Sequence, residues 1–404
     1  MIDNPSLPGI TYPRGFRAVG GTCGIKESGK PDLVLIVADQ PCAAAGMFTT
    51  NKIPGAPVIV SKRHVKSGKA RAIVVNSGCS NVATGKAGEQ DAVKMCEELA
   101  SHVGCPASQV LVCSTGIIGR RLPMAKIIPG IGQLFAKLSS GPTIDAEVAT
   151  AILTTDLVTK TSYRCVTIAG KEVRIAGIAK GSGMIQPNMA TMLAFITTDA
   201  AISPALLRKA LKGAVNSTFN RLSVDHDTST SDSVMLLASG QAKNAMIRAA
   251  GRALDAFTAA LTEVCKELAY QVVKDGEGAT KVFHVHVTGA KSVRDADLIG
   301  YAITGSPLVK TAVHGADPNW GRLAMAVGRS GASVNPAKLT ITIGGTTVFK
   351  KGVNLNADLA PLEAHMKGKE ILFEIDLGLG KYAAQWMGCD LSREYIAINA
   401  DYTT

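Results

Sequence analysis

Lys180-Gly181-Ser182-Gly183-Met184-Ile185-Gln186-Pro187-Asn188-Met189-Ala190-Thr191, running straight into Met192-Leu193-Ala194-Phe195-Ile196, is the stretch on which the reading of this chain turns. A segment loosened by two glycines and a proline delivers a small residue, Ala190, and then a hydroxyl residue to the lip of an apolar strand. That is the layout of an N-terminal nucleophile released by self-cleavage between Ala190 and Thr191. The chemistry rests on proton accounting. A threonine hydroxyl is a poor nucleophile at neutral pH, whereas a freed α-amino group, with a pKa of ~7.7–8, can act as general base on the same residue. On spacing alone, the segment reads more simply as a glycine-rich turn before a strand that happens to begin with Thr.

Outward from this stretch, strands are expected on both sides. Leu33 to Ala38, Ala72 to Val75 and Val110 to Cys113 are short, β-branched and bounded by turn residues, as buried strands sharing one sheet would be. Ala92, Cys96, Leu99 and Val103 recur at helical spacing, with Gly104 and Pro106 as the stop, so a helix is expected to cover that sheet. Val166, Ile168, Val173 and Ile175 alternate around Ala169-Gly170-Lys171, and Ile341, Ile343 and Val348 flank Gly344-Gly345, which predicts two hairpins. Ser203-Pro204 opens a helix carrying Leu207, Leu211 and Ala214, with Ser203 as cap. A longer helix with Leu254, Phe257, Leu261, Val264, Leu268 and Val272 on one stripe ends near Lys274 and delivers Asp275-Gly276-Glu277-Gly278. A further strand is expected around Val58 to Val60, with the basic run Lys62, Arg63, Lys66, Lys69 and Arg71 as a solvated loop after it.

Composition narrows the function. The 404 residues are 46% hydrophobic and 19% charged, a packed and turn-rich profile. No run approaches the ~18 apolar residues of a membrane span, and residues 1–16 lack a signal-peptide pattern, so a cytoplasmic protein is expected. The formal charge of +11 allows nucleic acid or acidic small molecules as partners, but 4% aromatics leave little on which bases could stack, which argues against nucleic acid. The nine cysteines are never spaced CxxC, the nearest pair being Cys105 and Cys113, so most are expected to be reduced core residues. The carboxylates of Asp225, Asp227 and Asp232 lack the glycine and distal glutamate of a calcium loop, and His284 and His286 have no third ligand nearby, so no metal site is expected.

The string 180–200 closely resembles the processing-site motif of the ornithine acetyltransferase family, also called the glutamate N-acetyltransferase or ArgJ family of arginine biosynthesis. Cys113-Ser114-Thr115-Gly116-Ile117-Ile118-Gly119, Thr154-Thr155-Asp156, Asp275 to Lys281, His314 to Arg322 and Asn399-Ala400-Asp401-Tyr402-Thr403-Thr404 fall in matching order, so the resemblance spans nearly the whole chain. It implies an α+β fold, a layered α/β/β/α sandwich, with an N-terminal domain 1–283 and a smaller C-terminal α/β domain 284–404. It further implies cleavage into an α chain, 1–190, and a β chain from 191, assembled as a heterotetramer of two αβ pairs.

The same resemblance implies an acetyl transfer from N2-acetyl-L-ornithine to L-glutamate by a ping-pong acetyl-threonine route, without metal or prosthetic group. Acetyl-CoA is a co-substrate in some members. Thr191 matches the nucleophile, Thr115 and Gly116 the oxyanion hole, and Thr154, Lys180, Thr191, Glu277, Asn399 and Thr404 the substrate contacts. A lysine suits a substrate carboxylate and a glutamate an ammonium. Without the resemblance, Ser114-Thr115-Gly116 is an ordinary turn, and Lys180 and Glu277 are solvated loop charges. A related self-cleaving aminopeptidase, which delivers the acyl group to water, is the alternative. The chain departs from the family pattern at Cys79 and Ser80, at His226 where Gly is usual, and at Leu157 where Thr is usual, which bears on the choice of acyl acceptor.

Overall fold

A computed structural model describes residues 7–186 and 192–401. Ala190, Thr191 and Thr404 therefore lie outside the described residues. The chain opens with β1 (Phe16–Gly21), β2 (Leu33–Phe48), α1 (Ala56–His64), β3 (Lys69–Cys79), α2 (Gly85–Val103), β4 (Val110–Ile117), α3 (Met124–Phe135) and α4 (Pro142–Ala151). It continues through β5 (Lys160–Ile168), β6 (Lys171–Lys180), β7 (Leu193–Thr198), α5 (Pro204–Ser217), β8 (Leu222–Ser223), β9 (Ser233–Ala238) and α6 (Arg252–Lys274).

Among the described residues, one sheet runs β4-β3-β2-β9-β7-β6-β5, with β1 added against β2. The pairs β3/β4 and β7/β9 are parallel and the others antiparallel. β2 holds the sheet together because its first half pairs with β3 and its second half with β9, the β3 register shifting between Val37 and Cys42. A strand expected to stop at Ala38 therefore continues to Phe48 through Asp39-Gln40-Pro41, where the shift absorbs the proline.

Alternation along these strands builds three cores, because successive side chains point to opposite faces. Val34, Ile36, Ile73, Val75, Leu111 and Cys113 meet Ile178, Leu193, Phe195, Met235 and Leu237 in an apolar layer between the two halves of the sheet. The intervening residues Leu33, Leu35, Val74 and Val112 pack under α2 and α3. On the far side Val173, Ile175, Ala194, Ile196 and Leu236 pack under α5 and α6. The order of layers is thus α/β/β/α, and the chain is an α+β sandwich.

The rest of the chain forms β10 (Val282–Ala290), α7 (Val293–Thr304), α8 (Pro307–His314), α9 (Trp320–Gly328), β11 (Thr340–Ile343), β12 (Thr346–Lys350), β13 (Val353–Asn354), α10 (Leu359–Met366), β14 (Glu370–Asp376), β15 (Tyr382–Cys389) and α11 (Arg393–Asp401). Its sheet runs β13-β12-β11-β14-β10-β15-β8, so β8 from the earlier part of the chain closes its edge. One face buries Val285, Val287, Ile341 and Phe373 under α7, α8 and α9.

Both hairpins form as expected, β5/β6 through Ala169 and Gly170 at φ +49° and +74°, and β11/β12 through Gly344 and Gly345. Helix α2 buries Ala92, Cys96 and Leu99, and α6 ends at Lys274. Two expectations change. Val58 to Val60 lie in α1, not in a strand, because Pro57 sits in the first turn after Gly55, and Lys62, Arg63 and His64 fall in the last turn. The basic run is accordingly split between that helix, the turn after it and β3. Ser203 stands at the N-cap of α5, yet its side chain makes no cap bond. All nine cysteines are free and six are buried.

Candidate active site

The C-terminal ends of β4 and β6 meet the start of β7 at a cavity of about 370 Å³. Thr115, Gly116, Thr154, Lys180, Glu277 and Asn399, scattered over nearly 300 positions of sequence, all line it. Each is held there for an identifiable reason.

Thr115 and Gly116 end β4 opposite Ser77 and Gly78 of β3. Gly116 has φ +127°, and a Cβ there would lie 2.3 Å from the Gly78 carbonyl carbon and 2.6 Å from the Cys79 nitrogen. Only glycine permits this approach of two backbones. The Thr115 hydroxyl accepts a 3.3 Å hydrogen bond from Lys180 Nζ, leaving its own hydrogen free to donate.

Lys180, the last residue of β6, is buried and donates to Thr154 Oγ1 at 2.8 Å. Burial pushes its ammonium below the ordinary lysine value, and Asp156, 3.8 Å away, pulls it back. Asp156 is the hub beneath the site. Its Oδ1 accepts from Lys160 Nζ at 2.7 Å and from the Gly181 N–H at 2.6 Å, and its Oδ2 from the Thr154 N–H at 3.1 Å. Burial alone would raise this carboxyl, but the ammoniums of Lys180 and Lys160 together hold it well below the usual carboxylate range. Lys160, with no solvent exposure, also reaches Asp275 Oδ2 at 2.6 Å, tying the loop of Thr154 to the end of α6.

From that end Glu277 turns into the cavity. Its N–H bonds the Ser182 carbonyl at 2.9 Å, and a Cβ on Gly183 would stand 2.4 Å from Glu277 Oε2, so glycine at 183 lets the carboxylate lie against the loop. Asn399, on α11, donates to Glu277 Oε2 at 2.9 Å, which brings the C-terminal helix over the site. Among the described lining residues Lys180 is the one cation, facing the carboxylates of Asp225, Asp227 and Glu277. Such an arrangement suits a zwitterionic ligand whose carboxylate meets the lysine and whose ammonium groups meet the acids.

The Gly-rich loop is pinned by Asp225, one of the three carboxylates weighed above as calcium ligands. Asp225 accepts from the N–H groups of Met184 at 2.5 Å and Ile185 at 2.7 Å. Burial lifts its carboxyl to about 6 against the pull of these bonds. On the far side of residues 187–191 the Met192 N–H donates to Asp232 Oδ1 at 3.0 Å, and the Ser233 N–H donates to the Met192 carbonyl at 3.1 Å. Both ends of the expected cleavage segment are thus anchored beside the cavity.

The departures from the family pattern sit differently. The Cys79 thiol is buried toward α2 and α3, away from the cavity, whereas Ser80 lines it. His226 has φ +74°, the conformation glycine would adopt freely, and its ring packs 5.1 Å from that of Tyr301. Leu157 is 81% exposed, and its N–H donates to Asp275 Oδ2. Asp156, Asp225 and Lys160 carry no functional assignment from the sequence alone; Asp156 and Lys160 pair four positions apart, but the contacts that join them to the site are remote, Lys160 and Asp275 being 115 positions apart. The His314 to Arg322 block lies outside the cavity lining, with His314 Nδ1 2.7 Å from Asp390 Oδ2. His284 and His286 share one side of β10, where His284 Nε2 lies 2.8 Å from Glu370.

Fold and site together define a class: an α/β/β/α sandwich with a buried lysine, paired hydroxyls and acidic groups around a polar cavity at the ends of its central strands. Residues 17–404 match the model of the ArgJ family, and the chain belongs to that family. It is 46% identical over 397 residues to the arginine biosynthesis bifunctional protein ArgJ of Dehalococcoides mccartyi (strain CBDB1), covering 98% of this chain and 97% of that protein. The protein of the same description from Bacillus anthracis is 45% identical over 397 residues, with 98% and 97% covered. The crystal structure of arginine biosynthesis bifunctional protein ArgJ from Bacillus halodurans superposes with a TM-score of 0.50 at 40% identity, covering 52% of this chain and 98% of that one.

Proposed function

We propose that this chain is a self-processing acetyltransferase of arginine biosynthesis, moving acetyl from N2-acetyl-L-ornithine to L-glutamate. The observation that carries the reading is the convergence of Thr115, Gly116, Thr154, Lys180, Glu277 and Asn399 on one cavity, beside the anchored start of β7. Thr191, preceding Met192, is the nucleophile, and Ala190–Thr191 the bond that is cleaved. The Thr191 hydroxyl oxygen attacks the acetyl carbonyl carbon while its α-amine takes the hydroxyl proton. The Thr115 hydroxyl and the Gly116 N–H stabilise the oxyanion, and the amine returns the proton to the leaving ornithine nitrogen. Glutamate then accepts the acetyl group by the reverse sequence. Lys180 binds the α-carboxylate, while Glu277, oriented by Asn399, binds the side-chain ammonium, with Thr154 and Thr404 completing the contacts.

The mechanism uses no metal or prosthetic group. Acetyl-CoA is proposed as a second donor, in keeping with the word bifunctional in the relatives' description. Also proposed are a division at 283/284 into two domains, a heterotetramer of two αβ pairs and a cytoplasmic location; among the described residues no helix is long and apolar enough to cross a membrane. The test is an assay of the wild-type chain and of Thr191→Ala with N2-acetyl-L-ornithine, with and without glutamate. Glutamate-dependent release of ornithine by the wild type, absent in the variant, supports transfer by Thr191. Release that ignores glutamate indicates hydrolysis, and an active variant removes Thr191 from the chemistry.

A further inference from the structure

One buried acid beside the site has no part in the reaction above. The Asp232 side chain is fully buried; Oδ1 accepts from the Met192 N–H at 3.0 Å, and Oδ2 is sealed from solvent without a hydrogen-bond partner among the described residues. A buried carboxyl oxygen left unpaired is uncommon and calls for an explanation. The narrow gap that Asp232 lines is shared with Thr115, Lys180, Met192, Leu193 and Ser231, so it lies between Thr115 and the start of β7. Residue 191 is joined to Met192 by one peptide bond, so the Asp232 carboxyl is hydrogen-bonded to the backbone N–H that follows the bond expected to be cut by one residue.

We propose that Asp232 is the proton shuttle of chain scission, giving its proton to the Thr191 nitrogen as the Ala190–Thr191 bond breaks. This deepens, and rests on, the assignment of Thr191 as nucleophile. The step balances. The Thr191 hydroxyl oxygen bonds to the Ala190 carbonyl carbon, and the carbon–nitrogen bond breaks as nitrogen takes the Asp232 proton. The hydroxyl proton restores Asp232, so an amide becomes an ester and a free amine with no net proton change. Water then hydrolyses the ester, leaving the Ala190 carboxyl and the Thr191 hydroxyl. The shuttle needs a carboxyl that is protonated near neutral pH. Burial raises that of Asp232 well above the ordinary range, with Lys180 the charged group that opposes it. The other groups around it are the neutral Thr115, Ser231, Met192 and Leu193.

The test follows the decay of the intact 41.9 kDa chain, made by cell-free translation and moved into buffers from about pH 6 to about pH 9, by denaturing electrophoresis. Asp232→Asn keeps an oxygen for the Met192 N–H but has no acid proton, and should slow scission at least about 100-fold, with Asp232→Glu recovering part of the rate. Wild-type scission should slow as pH rises through the Asp232 titration, a dependence the Asn variant lacks. Scission of Asp232→Asn within about threefold of wild type would overturn the proposal. If circular dichroism shows that variant unfolded, the wild-type profile decides, and a rate that is flat or rises with pH overturns it. Thr191→Ala separates the two ideas: if it still splits, the nucleophile assignment fails, whereas an intact Thr191→Ala beside a normally splitting Asp232→Asn refutes the shuttle alone.

Discussion

Replacing Asp156 by Asn should damage both stability and substrate binding, because one carboxylate serves two lysines and two backbone N–H groups. Asp156 and Lys160 have no side-chain exposure, and Asn offers one acceptor oxygen where the carboxylate meets Lys160, Gly181 and Thr154. Breaking a buried ion pair costs ~3–5 kcal/mol. Lys160 keeps its 2.6 Å partner Asp275, so the lower end, about 3 kcal/mol, applies. At ~2 °C per kcal/mol for a chain of this size, the melting temperature near pH 7 should fall by about 6 °C. The pH sign follows from the depressed carboxyl. Asp156 binds a proton less readily folded than unfolded, so its contribution is present above the unfolded pKa of ~3.9 and is lost as pH falls through the folded value. Wild type and variant should therefore converge in acid. Circular-dichroism melts at pH 7 and under acid conditions check both parts. A variant melting within about 1 °C of wild type at neutral pH, or a gap that widens in acid, would refute the reasoning.

Other outcomes follow from the same geometry. Thr115→Ala should lower kcat by ~10²–10³ with little change in KM, and an effect confined to KM would contradict the oxyanion role. Gly116→Ala drives a Cβ into the β3 backbone and should cost at least ~1–3 kcal/mol in urea unfolding while abolishing turnover. Lys180→Met should raise KM for both amino-acid substrates, and a normal KM would remove the lysine from carboxylate binding. Leu157→Thr should change stability by less than ~0.5 kcal/mol, since Leu157 is 81% exposed, which urea unfolding of the two proteins checks.

Local signals were legible because local physics sets them. The two glycine-centred hairpins, the apolar stripe of α6 and the Gly/Pro loop ahead of β7 needed only neighbours in sequence. Val58-Ile59-Val60 misled because three β-branched residues outvote one another's context, while the Pro57 start signal belongs to a helix. The site itself divides in the same way. Thr115, Lys180 and Glu277 are recognisable by motif, but what makes them work is not. Lys180 is tuned by Asp156, and the loop is fixed by Asp225 and Asp232, through contacts spanning 40 positions or more in the latter two cases. Periodicity and composition carry no information on such pairings.

The most direct measurement is denaturing mass spectrometry, with N-terminal sequencing, of the purified active protein. Two polypeptides meeting at Ala190 and Thr191, the second beginning with a free Thr191 amine, are expected. A single undivided 41.9 kDa chain with full transferase activity would contradict the mechanism.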